Sequence, residues 1–151
     1  MAALIPAARL LYLVRDPVER AISQYRHHHA EGTEARPLEA ALLDPDSQYV
    51  ARSRYHDRLA PFLTSFDRHA IAIVCQEELL AKQRRTLGAV FEFLRVDAGR
   101  WPGALAGPRH AAGGRQLSPG RLLHERLAEP LRDDADRLRD LAGRDFPAWS
   151  R

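Results

Sequence analysis

The sequence predicts an α/β fold, and three observations carry that reading. An apolar run, Leu10-Leu11-Tyr12-Leu13-Val14, ends at Arg15 and is followed at once by Asp16-Pro17. A second apolar run, Ile71 to Val74, ends at Cys75. Around them apolar residues recur at helical spacing, most cleanly at Leu87, Val90, Phe91 and Leu94. Short apolar runs closed by turn signals read as buried strands, whereas the i, i+3, i+4, i+7 spacing is one buried stripe of a helix. Strands interleaved with helices make an α/β layer.

The elements follow in order. After the strand ending at Arg15, Asp16 is placed to cap a helix with Pro17 at its first position and Glu19 at its third, running toward His29. Residues 31–47, with Gly32, Pro37 and Pro45, read as a loop holding a short helical piece at Leu38 to Leu43. Helix signals resume near Ser53 and continue through Leu59, Phe62 and Phe66, with a kink or break expected at Pro61. The second strand and the Leu87 to Leu94 helix come next. From Val96 to Ser118 the pattern dissolves into glycines and prolines, and a loop of that length is usually functional or disordered. Ser118 and Pro119 are expected to open a last helical region, broken near Pro130 and closed by Gly143. Two strands are too few for a stable open sheet. Strands are therefore missing from the visible set, or the chain pairs with a partner.

Length and composition narrow the function. The 151 residues fit one domain with a real core. A net charge of +3 suits an anionic ligand but is too small and too dispersed for a nucleic-acid binder, so no nucleic-acid partner is expected. Cys75 is the one cysteine, which excludes an internal disulfide; after Ile71 to Val74 it reads as a buried small residue rather than a reactive thiol. The N-terminal apolar stretch is short and broken by Pro6 and Arg9, so no signal peptide is expected; with no membrane association either, the expected compartment is the cytoplasm.

Chemistry concentrates around Arg15 and Ser23. In an open α/β sheet ligands bind at the carboxyl edge of the strands, and a guanidinium there suits a phosphate. Ser23, eight residues on, shares a helix face with Glu19 and Arg20, where its hydroxyl is placed to donate to the same anion. The plainer alternatives are an arginine paired with Glu19 or Glu77, and a helix serine bonded to a carbonyl one turn earlier. His27-His28-His29 invites a metal, yet consecutive helical residues point about 100° apart and cannot converge on one ion. A polar helix end is expected there, and no metal site.

The segment from Leu10 to Tyr25 resembles the 3′-phosphate-binding motif of the sulfotransferases that use 3′-phosphoadenosine 5′-phosphosulfate (PAPS). In that family a strand ends in Arg, an Asp-Pro or Asn-Pro turn follows, and a Ser eight residues after the Arg binds the same phosphate. The order continues through Ser53-Arg54-Tyr55, Ile71 to Val74, Glu77-Glu78-Leu79 as a turn, Phe93-Leu94, and Leu141 to Phe146 with Trp149. The resemblance covers the C-terminal half of the family's domain, in a bacterial type similar to the heparan and carbohydrate sulfotransferases.

The resemblance implies a partial P-loop-NTPase-like sulfotransferase fold: few parallel strands flanked by helices, with the N-terminal P-loop unit missing. It implies a single partial domain over residues 1–151, with 96–118 a long loop on the cofactor side. There Gly113-Gly114-Arg115 best matches the family's basic loop residue, with Arg109 competing; glycine lets backbone N–H groups approach a phosphate and arginine pairs with it. Arg15, Ser23 and Arg115 are thus the implied PAPS ligands, and catalytic residues are not assigned. Arg95 stands where the family's Phe-Leu-Gly places glycine, which costs the helix end roughly 1 kcal/mol. Glu77 is expected to be structural, and Tyr55 and Trp149 to be packing residues.

The implied reaction is sulfuryl transfer from PAPS to a hydroxyl or amine of a small-molecule or carbohydrate acceptor. The chain is expected to begin inside the domain, to keep the 3′-phosphate half, to be inactive alone, and to need a complementing N-terminal segment. The alternative is a non-catalytic nucleotide-binding or assembly module derived from the same fold.

Overall fold

The computed structural model describes residues 5, 7–97, 99 and 120–149. Its elements alternate as β1 (Leu10–Val14), α1 (Pro17–Ala30), α2 (Leu38–Leu42), α3 (Gln48–Ser53), α4 (Tyr55–Leu63), β2 (Ile71–Cys75), α5 (Gln76–Ala81), α6 (Gln83–Leu94), α7 (Arg121–Ala128) and α8 (Arg132–Ala142). Among the described residues the sheet has two strands, β1 and β2, paired in parallel from Leu10 opposite Ile71 to Val14 opposite Cys75. The chain divides into two compact units: Met1–Arg15 with Leu59–Arg109, and Asp16–Arg58 with His110–Arg151.

In the first unit the sheet lies with α5 and α6. Ile71 and Cys75 are buried, as is Val14. Leu11 and Leu13, which share a face with their partners Ala72 and Val74, are 46% and 56% exposed. Parallel sheets are normally covered on both faces. This face is therefore uncovered by the described residues.

The apolar stripe of α6 is present, but only Val90 is fully buried while Leu87, Phe91 and Leu94 are half-buried. The helix ends at Arg95 in a left-handed conformation, φ 56° and ψ 39°. Its N–H donates to the Glu92 carbonyl, and Val96 N–H to that of Phe91 at 3.0 Å, which closes the last turn as a glycine would. The residue that departs from Phe-Leu-Gly thus adopts the backbone that glycine favours.

In the second unit α1 is the central helix. Val18, Ala21, Ile22 and Tyr25 form a core with Ala41, Leu42, Tyr49, Leu123, Leu127 and Leu131. Helices α2, α3 and α7 pack directly on α1. Asp16 caps it as the sequence predicts, accepting from the backbone N–H of Val18 at 2.9 Å and Glu19 at 3.0 Å, with Pro17 in the first turn. Phe146 stacks on Trp149 at 4.3 Å between ring centroids, and Tyr55 lies 5.9 Å from Trp149; all three are buried packing residues.

Several boundaries differ from expectation. A helix runs over Gln48–Ser53, between the expected loop, which ends at Ser47, and the point near Ser53 where helix signals resume, and the break falls at Arg54 rather than Pro61. Pro61 lies in the last turn of α4, where it withdraws the N–H that would donate to the Asp57 carbonyl, and the helix ends two residues later at Leu63. Glu77 to Leu79, expected as a turn, belong to α5. Ser118 and Pro119 lie outside the described residues, and α7 begins at Arg121 with Gly120 at its N-cap and no side-chain cap. The break near Pro130 is a 3-10 turn, Glu129–Leu131, and Gly143 closes α8 at φ 64°.

Two outcomes follow from these ends and contacts. Arg95→Gly should raise stability by about 1 kcal/mol, because a side chain no longer occupies a left-handed position; urea unfolding should show a higher midpoint at unchanged slope. The hydrogen bonds of Arg36 to Glu34, 3.0 and 2.7 Å, hold that buried carboxyl at about 2, against an ordinary value of 4.5. Its stabilisation is complete above pH 4.5 and is lost as pH falls toward 2. Glu34→Gln should remove that acid-limb dependence from the unfolding midpoint, leaving neutral-pH stability lower.

Candidate functional site

The parallel register puts the carboxyl ends of both strands at one edge of the first unit. Arg15 follows β1 there and is half-buried; Gln76 and Glu77 follow β2. Arg15 already has a polar or electrostatic interaction in the folded chain, as a guanidinium close to protein normally does. The Cys75 thiol donates to the Glu77 carboxylate at 3.0 Å, and burial first, that carboxylate second, pushes the thiol up to about 11. Cys75 is therefore a protonated, buried residue, and Glu77 is structural in holding it.

On α1, in the second unit, Ser23 is half-buried three residues after Arg20. Arg20 donates to the Tyr49 carbonyl at 3.4 Å and to Ser53 Oγ at 3.2 Å, and Ser53 in turn donates to the Tyr49 carbonyl at 2.8 Å. These contacts hold α3 along α1. The Ser23 hydroxyl has no hydrogen-bond partner among the described residues, which separates it from the neighbours that fasten the helix. Arg15 closes one compact unit and Ser23 belongs to the other. Arg115, with Gly113, Gly114 and Arg109, lies outside the described residues, as do 98 and 100–118 of the expected cofactor-side loop.

The three histidines have separate partners, as their helical spacing requires. His27 pairs with Glu31 at 3.2 Å, His29 Nδ1 donates to the Glu34 carbonyl at 2.9 Å, and His28 Nδ1 lies 3.2 Å from the Tyr49 hydroxyl. Tyr49 gives its one proton to Glu34 at 3.1 Å, so His28 Nδ1–H is the donor in that contact.

One cluster escapes sequence reasoning. Ligand atoms of His56, Asp57 and Asp134 lie within 4.8 Å of one another. The buried Asp134 carboxylate accepts the backbone N–H of His56 at 3.0 Å and of Asp57 at 2.9 Å, capping α4 from 77 residues along the chain. Arg137 stands 3.0 Å from Asp57 and 3.7 Å from Asp134. Both carboxylates are thus answered by protein donors, and the cluster is a helix cap with its counter-charge rather than a vacant metal site. No local signal marks it.

Residues 1–101 match the model of the sulfotransferase family, and the chain belongs to that family. Among solved structures it is similar to a sulfotransferase from Alicyclobacillus acidocaldarius, at 24% identity and a TM-score of 0.82. That likeness of fold covers 100% of this chain and 61% of the other, so the chain spans under two thirds of that protein's length. A search of curated proteins finds no match.

Asp134→Ala should cost about 1 to 2 kcal/mol by uncapping α4. Adding zinc or magnesium should leave the wild-type melting temperature unchanged. A metal-dependent rise abolished by that substitution would show an ion site instead.

Proposed function

We propose that this chain carries the 3′-phosphate-binding part of a sulfotransferase that moves a sulfuryl group from PAPS to a hydroxyl or amine of a small-molecule or carbohydrate acceptor. The observation that carries the reading is Arg15 at the carboxyl end of β1, followed by a capped helix bearing Ser23 eight residues on, within the stretch that matches the family. In the proposed reaction the acceptor oxygen or nitrogen bonds to sulfur while the bond from sulfur to the bridging phosphate oxygen breaks. Adenosine 3′,5′-bisphosphate leaves, and the acceptor's proton passes to a general base.

Arg15 and Ser23 act on none of the bonds that change. They hold the nucleotide's far phosphate, so their contribution is positioning, expressed mainly in affinity for PAPS. A planar guanidinium takes two phosphate oxygens and a hydroxyl a third. Arg115 would add a second cation from the 96–118 loop.

The 5′-phosphosulfate needs a different device, backbone N–H groups of a glycine-rich loop at a helix N-terminus with a lysine. The one lysine here, Lys82, follows α5 and is far in sequence from the glycines of 99–114. We infer that a P-loop-like unit outside these 151 residues supplies that device. The Leu11 and Leu13 face, uncovered by the described residues, agrees with a sheet meant to have more structure against it.

A calorimetric titration of the chain with adenosine 3′,5′-bisphosphate should give saturable binding, weakened at least tenfold by Arg15→Ala and less by Ser23→Ala. The same chain mixed with PAPS and a phenol, an amine or a sugar should show no turnover. Binding indifferent to Arg15, or no binding by the wild-type chain, contradicts the reading.

A further inference from the structure

A cavity of about 380 Å³ opens in the second unit between the first turn of α1 and α8. That volume is within the range of small-molecule sites. Its floor is apolar: Val18, Leu131 and Ala135 line it and are buried members of the helical layer. Neither Arg15 nor Ser23 lines it. Ser23 projects from α1 about 140° around the helix from Val18.

Charge on the wall decides what the cavity accepts. Arg139, only 17% exposed, donates to Asp136 and stands 3.9 Å from Asp145, so one cation is answered by two carboxylates. Arg132 lines the same cavity, is exposed, and has no hydrogen-bond or ion-pair partner among the described residues. An organic cation entering here would meet carboxylates already engaged by Arg139. An anion would meet an uncommitted guanidinium above an apolar floor. Arginine is suited to that position, since its fork takes carboxylate or sulfate oxygens in pairs.

We propose that this cavity binds an organic monoanion: an aryl or alkyl body against Val18, Leu131 and Ala135, with a single carboxylate or sulfate on Arg132. The site is independent of the nucleotide reading and stands whether or not the chain binds PAPS.

The test uses three probes of one shape, 4-butylbenzoate, 4-butylbenzyl alcohol and 4-butylbenzylamine, with inorganic sulfate as a fourth, each titrated into the isotope-labelled chain by NMR. Butylbenzoate should shift the amides of Val18 and Ala135 saturably and bind at least fivefold tighter than the alcohol. Arg132→Ala, a change at an exposed position, should erase that preference by weakening butylbenzoate about fivefold to tenfold while leaving the alcohol unchanged. Arg132→Glu should reverse the order in favour of the amine. Arg15→Ala should leave butylbenzoate binding intact, so failure here is distinct from failure of the nucleotide reading. The proposal is overturned if no probe saturates those amides, if the Arg132 substitutions change nothing, or if inorganic sulfate binds as well as butylbenzoate.

Discussion

The buried carboxylate of Asp16 is the constraint on which the rest depends. It accepts the two N–H groups that open α1, and it does so one residue after β1 has ended. A carboxylate only 3% exposed would be costly without such partners. With them it contributes on the order of 1 kcal/mol and also fixes where the strand stops and the helix starts. Pro17 reinforces the corner, since its ring holds the backbone angle that a first helical residue needs and its missing N–H is not missed there. The side chain just before this corner, Arg15, is thereby delivered to the end of a strand.

Everything in the second unit is arranged around the helix that this cap begins. One side of α1 buries Ala21 and Ile22 completely, and the polar side chains beside them fasten it to its neighbours: Arg20 to α3, Tyr25 to the Arg36 carbonyl at 2.8 Å, His28 to Tyr49. Glu34 and Arg36 complete this network from the loop after α1. In that company Ser23 is conspicuous for what it does not do. Its half-buried hydroxyl has no hydrogen-bond partner among the described residues, which leaves it open to the phosphate acceptor proposed above.

Local signals made the β1-to-α1 corner, the second strand, the left-handed Arg95 and the Gly143 stop legible in the sequence. Each of these is written within about five residues: an apolar run and a cap, or a helix stripe and its terminator. What was not legible depends on contacts across the chain. The Gln48–Ser53 helix has no cap and a weak pattern, and is held by Tyr49 entering the α1 core and by Arg20 reaching its carbonyl. The start of α4 at Tyr55 is set by Asp134, which no short window can reveal. The Arg132 cavity is similar, since its walls come from the first turn of α1 and from residues more than a hundred positions later. The placement of Arg15 at the end of β1 and of Ser23 on α1 was legible because it is local, while their binding of a phosphate is the reading proposed above.

The central claim is that Arg15 reads one particular phosphate. The most direct measurement is a thermodynamic cycle that removes that phosphate from the ligand and the guanidinium from the protein: affinities of adenosine 3′,5′-bisphosphate and adenosine 5′-monophosphate for the wild-type chain and for Arg15→Ala. The account predicts that the wild type prefers the bisphosphate by at least tenfold, and that the preference largely disappears in Arg15→Ala while the monophosphate is bound equally by both. Equal preference for the bisphosphate in wild type and variant would contradict it.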